Sequence, residues 1–266
     1  MVNISFQKIN SQIQYFSDRV NNGGYDKNIY QSLDKSQMDE SKATNNQFIS
    51  ANTSIAQNSK EGSKILESID KDLDRFRELT LMFSDGAIKD RSVVSAELTS
   101  IRDTIESKLN SKNDQGYIFA GTSRNTKPFD SGNFNGNLND TFLITSSGHR
   151  AVKLLGPTFA MTPNGNILND LDSLITNLGD PSNLDKIDSL KGNISTGITK
   201  YGLNESSANS QISYLKELNI STEALFENKY KHMEKYIADL NNSILQYQAM
   251  ASVMKKTEGL SLVNYL

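Results

Sequence analysis

The feature that most constrains this chain is an amphipathic run from Ala208 to Met254. Its stripe positions recur at alternating steps of three and four residues, the spacing of one face of an α-helix. Over this length the stripe predicts a coiled-coil helix that a second helix or another subunit must cover. One extra four-residue step follows Leu240. The stripe consists of Ala208, Ile212, Leu215, Asn219, Thr222, Phe226, Lys229, Met233, Tyr236, Leu240, Ile244, Tyr247, Ala251 and Met254.

A second stripe lies at the other end of the sequence and has the same rhythm. It is formed by Val2, Phe6, Ile9, Ile13, Phe16 and Val20. A helix this short is marginal in isolation, so its apolar face needs a partner. We therefore predict that the two ends pair as coiled-coil strands and form an assembly interface. On the C-terminal side this interface comprises Leu240, Ile244, Tyr247, Ala251 and Met254.

Between the two stripes the spacing predicts a helical stem. One helix has a buried face from Gly62 to Phe83 and ends near Asp85-Gly86, because glycine favours the end of a helix. Asp90 can cap a second helix, which ends at Lys112-Asn113. Its inner face is Val94, Leu98, Ile101, Ile105 and Leu109. Helical spacing resumes at Ile167 and stops at Gly179-Asp180-Pro181, before Ile187, Leu190, Ile194 and Ile198 lead to the last helix.

The middle of the chain changes character. Strands are predicted for Gly116–Gly121, Thr141–Thr145, Ala151–Leu155 and Phe159–Thr162, which are rich in β-favouring residues and bounded by turns. The fold class is therefore mainly α, a long helical bundle or coiled coil with a small antiparallel β insertion. We divide the chain into a terminal coiled-coil domain (1–42 and 228–266), a stem (43–115 and 164–227) and the insertion (116–163).

Composition argues against several classes of partner. The net charge is −3, with 28 basic and 31 acidic residues mixed along the chain, so neither nucleic acid nor an anionic membrane is an expected partner. No window has the ~18 consecutive apolar residues of a membrane span, and a cleavable signal peptide is not expected. The absence of cysteine excludes disulfides and thiolate metal sites.

None of the short motifs that suggest ligand binding or catalysis is complete. Gly116 to Ser123 has the glycine spacing of a phosphate-binding loop but lacks its lysine. Ser131 to Phe142 lacks the carboxylates of a calcium loop, and Ser5-Lys8, Ser32-Lys35 and Ser68-Lys71 are chance Ser-x-x-Lys matches. His149 and His232 have no metal-binding pattern. We predict no enzyme activity, no cofactor and no metal.

Three motifs resemble the flagellin superfamily. Arg75-Phe-Arg77-Glu-Leu-Thr80 is similar to the Arg-x-Arg-Glu-Leu-Thr helix of flagellins. Within the superfamily, Gly116-Tyr-Ile-Phe-Ala-Gly121 with Pro128-Phe129 is similar to a stretch typical of the hook-associated protein 3 family, the hook-filament junction proteins. The segment Leu260-Ser-Leu-Val-Asn-Tyr-Leu266 resembles the ending of that family, and it adds Leu260, Leu262 and Leu266 to the predicted assembly interface.

The resemblance implies a structural adaptor between flagellar hook and filament. Its implied partners are hook-associated protein 1, flagellin, copies of itself in a ring and an export chaperone. It also implies secretion through the flagellar export apparatus and a place on the extracellular flagellum. A filament-forming flagellin is the alternative, and a generic coiled-coil scaffold is another.

The family resemblance also suggests a junction between stem and insertion. Its predicted residues are Gly116, Tyr117, Phe119, Gly121, Pro128 and Phe129. Gly121→Val should disturb this junction, whereas Gly132→Ala in a nearby turn should matter little. Two family features are missing: only Ser17-Asp-Arg19-Val20-Asn21 remains of the turn after the first helix, and no Pro-Ser-Asp-Asp-Pro follows it. The first stripe is also about two heptads shorter than is usual in the family.

Overall fold

A computed structural model of the chain describes residues 27–130, 132–144 and 150–263, together with Ser11 and Gln14. Four α-helices and eight short strands are found in this part of the chain. The helices are α1 (Lys27–Ser84), α2 (Arg91–Leu109), α3 (Ile167–Thr176) and α4 (Asn183–Val263). The strands are β1 (Lys112–Asn113), β2 (Gly116–Tyr117), β3 (Phe129–Asp130), β4 (Asn133–Phe134), β5 (Thr141–Ile144), β6 (Arg150–Leu154), β7 (Met161–Thr162) and β8 (Gly165–Asn166). The predicted mainly α class is confirmed.

The chain divides into two compact units. The terminal unit combines Met1–Asn45 with Glu217–Leu266, and the central unit is Asn46–Lys216. Helices α1 and α4 each contribute residues to both units. The predicted boundaries between terminal domain, stem and insertion stay predictions.

The core of the central unit is built from the faces that the spacing predicts. Leu66, Ile69, Leu73 and Phe76 of α1 are fully buried. They belong to one apolar cluster with residues of α2, α3 and α4, among them Leu98, Ile105, Leu171, Ile187 and Ile194. Ile101 is only partly buried but packs against the same cluster. Burial of these side chains contributes roughly 1.5–3 kcal/mol each, which makes this cluster the main source of stability in the unit.

Capping residues fix where the helices begin and end. The Asp90 carboxylate accepts hydrogen bonds from the backbone N–H groups of Ser92 and Val93, which confirms the predicted cap of α2. Hydrogen bonds from Ser92 hold the pKa of Asp90 below its usual value. Asn166 caps α3 in the same way. The predicted end of α2 at Lys112-Asn113 is wrong: the helix ends at Leu109, and Lys112 and Asn113 form β1.

The strands described between Lys112 and Asn166 form four separate antiparallel pairs rather than one sheet: β1 with β2, β3 with β4, β5 with β6, and β7 with β8. The predicted strand over Gly116–Gly121 is too long, because only Gly116 and Tyr117 pair with a neighbouring strand. The predicted strand over Phe159–Thr162 is also only partly right. Thr158–Ala160 is a turn of 3₁₀-helix, and only Met161 and Thr162 form a strand.

In the terminal unit α1 and α4 are joined by polar contacts. Lys42 forms a salt bridge with Glu223 at 3.0 Å, and the Tyr230 hydroxyl donates to the Asp34 carboxylate at 2.6 Å. Lys229 also donates to Asp34, and this bond, with that of Tyr230, holds the pKa of Asp34 below its usual value. The predicted stripe is wrong at Lys229, which is exposed, while its neighbour Tyr230 is buried. A straight helix drifts against a strict seven-residue repeat, so the buried position moves by one residue.

Candidate functional site

The predicted junction residues lie in the central unit, where the end of α2 meets the first strands. Phe119 and Phe129 are completely buried, and Gly121 and Pro128 are buried with them. Gly116 and Tyr117 are half-buried, and the Lys112 ammonium lies 4.2 Å from the centre of the Tyr117 ring. These six residues therefore form part of the packed interior and its edge, not a free surface loop.

The side chain of Asn110 attaches the insertion to the end of α2. Its Nδ2 donates to the Phe129 carbonyl at 2.9 Å, and its Oδ1 accepts from the Phe129 N–H at 3.0 Å. One amide thus satisfies both backbone groups of Phe129, whose ring lies 5.2 Å from that of Phe134. A buried backbone group without such a partner is costly, so this pair fixes the position of the Pro128-Phe129 segment.

An aromatic cluster attaches the Phe119 segment to α4. The rings of Phe119, Phe159 and Tyr201 meet edge to face, with centroids 5.5, 5.7 and 6.1 Å apart. Edge-to-face pairs of this kind add to the effect of burial. A Cβ at Gly62 of α1 would lie 2.5 Å from the Tyr201 ring, so only glycine leaves room for this ring beside α1.

Arg124 links the same turn to α1. Its guanidinium donates to Asn58 Oδ1 at 2.6 Å and also to Gln115, while its carbonyl accepts from the Tyr117 N–H at 2.9 Å. Burial lowers the pKa of this guanidinium below its usual value. The junction is therefore held by contacts to α1, α2 and α4.

Gly121 and Gly132 are two of the glycines in this region that have left-handed backbone conformations. Gly121 has φ +61°, and a Cβ there would lie 2.1 Å from the Asn137 carbonyl oxygen. Valine cannot be accommodated, which supports the expectation for Gly121→Val. The expectation that Gly132→Ala matters little is wrong: Gly132 has φ +81°, is buried, and its Cβ would lie 2.8 Å from Asn169 Oδ1.

The predicted assembly interface is described only in part. Leu240, Ile244 and Tyr247 are half-buried positions of α4 in the terminal unit. Ala251, Met254, Leu260 and Leu262 belong to α4, but their side chains are outside the described part. Outside the described residues lie Val2, Phe6, Ile9, Ile13, Phe16, Val20 and Leu266, and also the Ser17–Asn21 segment. The role of the whole set stays a prediction.

The arginines of the Arg75–Thr80 motif connect helices of the central unit. Arg75 bonds to Glu97 of α2 at 2.8 Å, and Arg77 bonds to Asp188 of α4 at 2.8 Å. Between them Phe76 is buried in the core, and the Thr80 hydroxyl donates to the Phe76 carbonyl. The charged pairs are half-exposed and individually weak, so they orient the helices while the apolar residues stabilise them.

One polar cluster has the components of a Ser-Lys pair, but its geometry does not suit catalysis. Lys108 Nζ donates to Ser68 Oγ at 2.7 Å and to the Asp72 carboxylate at 2.6 Å. A catalytic lysine would instead accept the serine proton. The cluster ties α2 to α1, and the serine's partner is not the Lys71 of the sequence motif.

Other chemical features are scarce in the described part of the chain. No group of three or more acidic or histidine side chains there could hold a metal ion. No helix among the described residues is long and apolar enough to cross a membrane. His232 is exposed, and His149 lies outside the described residues.

Sequence reasoning missed Tyr201, Arg124 and Asn110. Tyr201 could have been found, because it lies at seven-residue steps from Ile194 and Ala208, on the stripe that covers the core. Arg124 and Asn110 lie in or beside turns without periodicity. No sequence signal identifies the groups that their side chains contact.

Comparisons with known proteins identify the fold. No protein-family model matches the sequence, and no curated protein does. Among solved structures, a protein described as a flagellar hook-associated protein from Vibrio parahaemolyticus matches with a TM-score of 0.64 and 20% identity, over 74% of this chain and 96% of that chain. FlgL of Bacillus cereus matches with a TM-score of 0.57 and 17% identity, over 73% and 99% of the two chains.

A third solved structure agrees with these two. FlgL of Xanthomonas campestris matches with a TM-score of 0.50 and 13% identity, over 70% of this chain and 98% of that chain. Each match covers nearly the whole of the solved flagellar chain. The chain therefore has the fold of flagellar hook-associated proteins of the FlgL type.

Proposed function

We propose that the chain is a structural adaptor at the hook-filament junction of a bacterial flagellum, where it allows the filament to assemble on the hook. The observation that carries the proposal is the fold shared with flagellar hook-associated proteins over almost their whole length. The Gly116–Gly121 and Pro128-Phe129 motifs add support, because most of their residues are buried at the contact between insertion and helices. The protein acts by assembly rather than by catalysis.

The partners follow from this role. They are hook-associated protein 1 on the hook side, flagellin on the filament side, copies of the same chain in a ring, and a chaperone during export. A subunit that completes a closed layer need not extend into an unlimited polymer. The protein is exported through the flagellar apparatus and resides on the extracellular flagellum. A filament-forming flagellin is the competing function.

A deletion strain distinguishes the two functions. Cells that lack the adaptor should build hooks and release unpolymerised flagellin into the medium, and complementation should restore filaments. Normal filaments in the deletion strain would contradict the adaptor role. Loss of the hook would also contradict it, because the protein would then act earlier in assembly.

Complementation with junction variants tests the part played by the insertion. Gly121→Val should fail to restore filaments, because a valine side chain overlaps the Asn137 carbonyl. Gly202→Ala is the matched control, since nothing lies within 4 Å of its added Cβ and alanine favours a helix. Equal filament numbers with both variants would show that the junction does not matter for the adaptor.

The terminal interface is tested by a pair of adjacent residues in α4. Ile244 is half-buried, whereas Leu245 is 61% exposed. Ile244→Asp places a charge on the predicted seam and should block incorporation into flagella, while Leu245→Asp should be tolerated. Normal incorporation of Ile244→Asp, scored by immunoblot of sheared flagella, would refute this interface.

A further inference from the structure

Polar residues lie at seven-residue steps on the buried side of α1. Asn45, Asn52 and Ser59 are 9%, 0% and 3% exposed, on the face that continues with Leu66 and Leu73. Seven residues are two turns of a coiled-coil helix, so these five side chains occupy equivalent positions. An apolar side chain would stabilise each position more, and the three polar residues therefore need another explanation.

Each polar residue has a partner on α4 within its own unit. In the central unit Asn52 Nδ2 donates to Gln211 Oε1 at 3.4 Å, and Asn204 Nδ2 donates to Ser59 Oγ at 2.9 Å. In the terminal unit Asn45 Nδ2 donates to Asn219 Oδ1 at 2.8 Å. Equivalent positions along α1 are thus matched by side-chain hydrogen bonds to α4.

The order of these contacts defines one alignment of the antiparallel helices. In the central unit Asn52 faces Gln211, Ser59 faces Asn204, and a Cβ at Gly197 would lie 3.0 Å from a Leu66 methyl group. A slip of α4 by seven residues in one direction would place Asn204 beside Leu66 and Leu218 beside Asn52, which buries an amide against an aliphatic side chain at both places and is costly. The opposite slip would place Asn204 beside Asn52 and Leu190 beside Leu66, where a Cβ at Gly197 would already lie 3.0 Å from the Leu66 methyl group. The polar pairs therefore oppose the first slip, and close packing at Gly197 opposes the second.

We propose that the Asn52–Gln211 and Ser59–Asn204 pairs help to set the axial register of α1 and α4 and exclude the shifted register in which Asn204 lies beside Leu66 and Leu218 beside Asn52. A buried polar pair in a helical seam lowers stability but selects one alignment. The apolar residues from Leu66 to Phe76 hold the helices together, the polar pairs oppose one shifted alignment, and packing at Gly197 opposes the other. This inference does not depend on the proposed flagellar role.

Spin labels can measure the register directly, because the natural sequence contains no cysteine. Cysteines replace the exposed residues Lys60 and Ser207 of the full-length protein, and pulsed electron resonance gives the distance between their labels. The parent should show one narrow distance distribution. Asn52→Leu/Gln211→Leu should show a broadened or split distribution, together with a Tm that is higher by about 2–4 °C.

Two further variants separate polarity from packing. Thr53→Leu/Ser213→Leu adds leucine at exposed positions of the same helices and should leave the distance unchanged. Asn52→Gln/Gln211→Asn keeps a polar pair and should retain the narrow distribution. The proposal is overturned if the leucine pair at 52 and 211 keeps one narrow distance, if its Tm falls or it unfolds, or if the exchanged amides broaden the distance equally.

Discussion

Two stretches of α1 in the central unit show how one helix face serves different purposes. From Leu66 to Phe76 the buried positions are apolar and contact residues of three other helices. At Asn52 and Ser59 the equivalent positions are polar and form hydrogen bonds with side chains of α4. The first stretch belongs to the apolar cluster that stabilises the unit, and the second opposes one shifted alignment of α1 and α4. Burial alone therefore does not tell which residues stabilise this protein.

The largest effect is expected in the apolar stretch. Phe76→Ala should lower the free energy of unfolding by about 3–5 kcal/mol, because it removes a completely buried ring and leaves a cavity. Urea unfolding followed by circular dichroism measures the change. Leu203→Ala is the control, since Leu203 is 67% exposed and its loss should cost less than about 0.5 kcal/mol. Similar losses in both variants would remove the distinction between core and surface.

A smaller loss is expected in the polar stretch. Asn52→Ala should lower the free energy of unfolding by about 1 kcal/mol, because Gln211 loses a hydrogen-bond partner but is itself only half-buried. The same urea titration measures it. A loss as large as that of Phe76→Ala would mean that the polar layer also stabilises the fold.

Tyr201 of α4 packs beside Gly62, between these two stretches of α1. Its replacement by phenylalanine should raise the stability of the protein rather than lower it. Its hydroxyl is buried without a hydrogen-bond partner in the described part of the chain. Tyr201→Phe keeps the edge-to-face contacts and removes this unpaired group, so stability should rise by about 1 kcal/mol. Tyr214→Phe is the control, because Tyr214 is 64% exposed. A clear loss of stability in Tyr201→Phe would mean that the hydroxyl does have a partner.

The same residue predicts a dependence on alkaline pH. Burial raises the pKa of Tyr201 far above its usual value, because the charged phenolate would be desolvated. The raised pKa of the buried phenol contributes to the free energy of unfolding, and this contribution is fully present below the unfolded pKa of about 10. It is lost as the pH rises from there towards the folded pKa. Thermal melts between about pH 9 and 11 should show a steeper decline for the parent than for Tyr201→Phe. Parallel declines would contradict this assignment.

Helix faces were predictable from the sequence, but many turn contacts were not. The buried faces around Leu73 and Leu98 follow from spacing, because the apolar residues of an amphipathic helix recur along the sequence with the helical period. The strand at Gly116–Gly121 was predicted too long because local β preference does not show that Ala120 and Gly121 lie in a turn. Lys229 was placed on the seam in place of Tyr230 because a strict repeat ignores helix drift.

The candidate site was only partly accessible from the sequence for a related reason. Phe119 and Phe129 belong to a recognisable motif, and both are buried. Asn110 bonds to the backbone of Phe129, and Arg124 reaches Asn58 on a distant part of the chain. Partners of this kind depend on the three-dimensional path of the loop. They leave no pattern in the order of residues.

The most direct test of the proposed role is the location of the protein on the intact flagellum. An epitope inserted between the exposed residues Asn125 and Thr126 can be detected by immunogold electron microscopy in a strain whose filaments the tagged protein restores. A structural adaptor predicts gold confined to a narrow band between hook and filament. Gold distributed along the filament would contradict the adaptor and identify a flagellin.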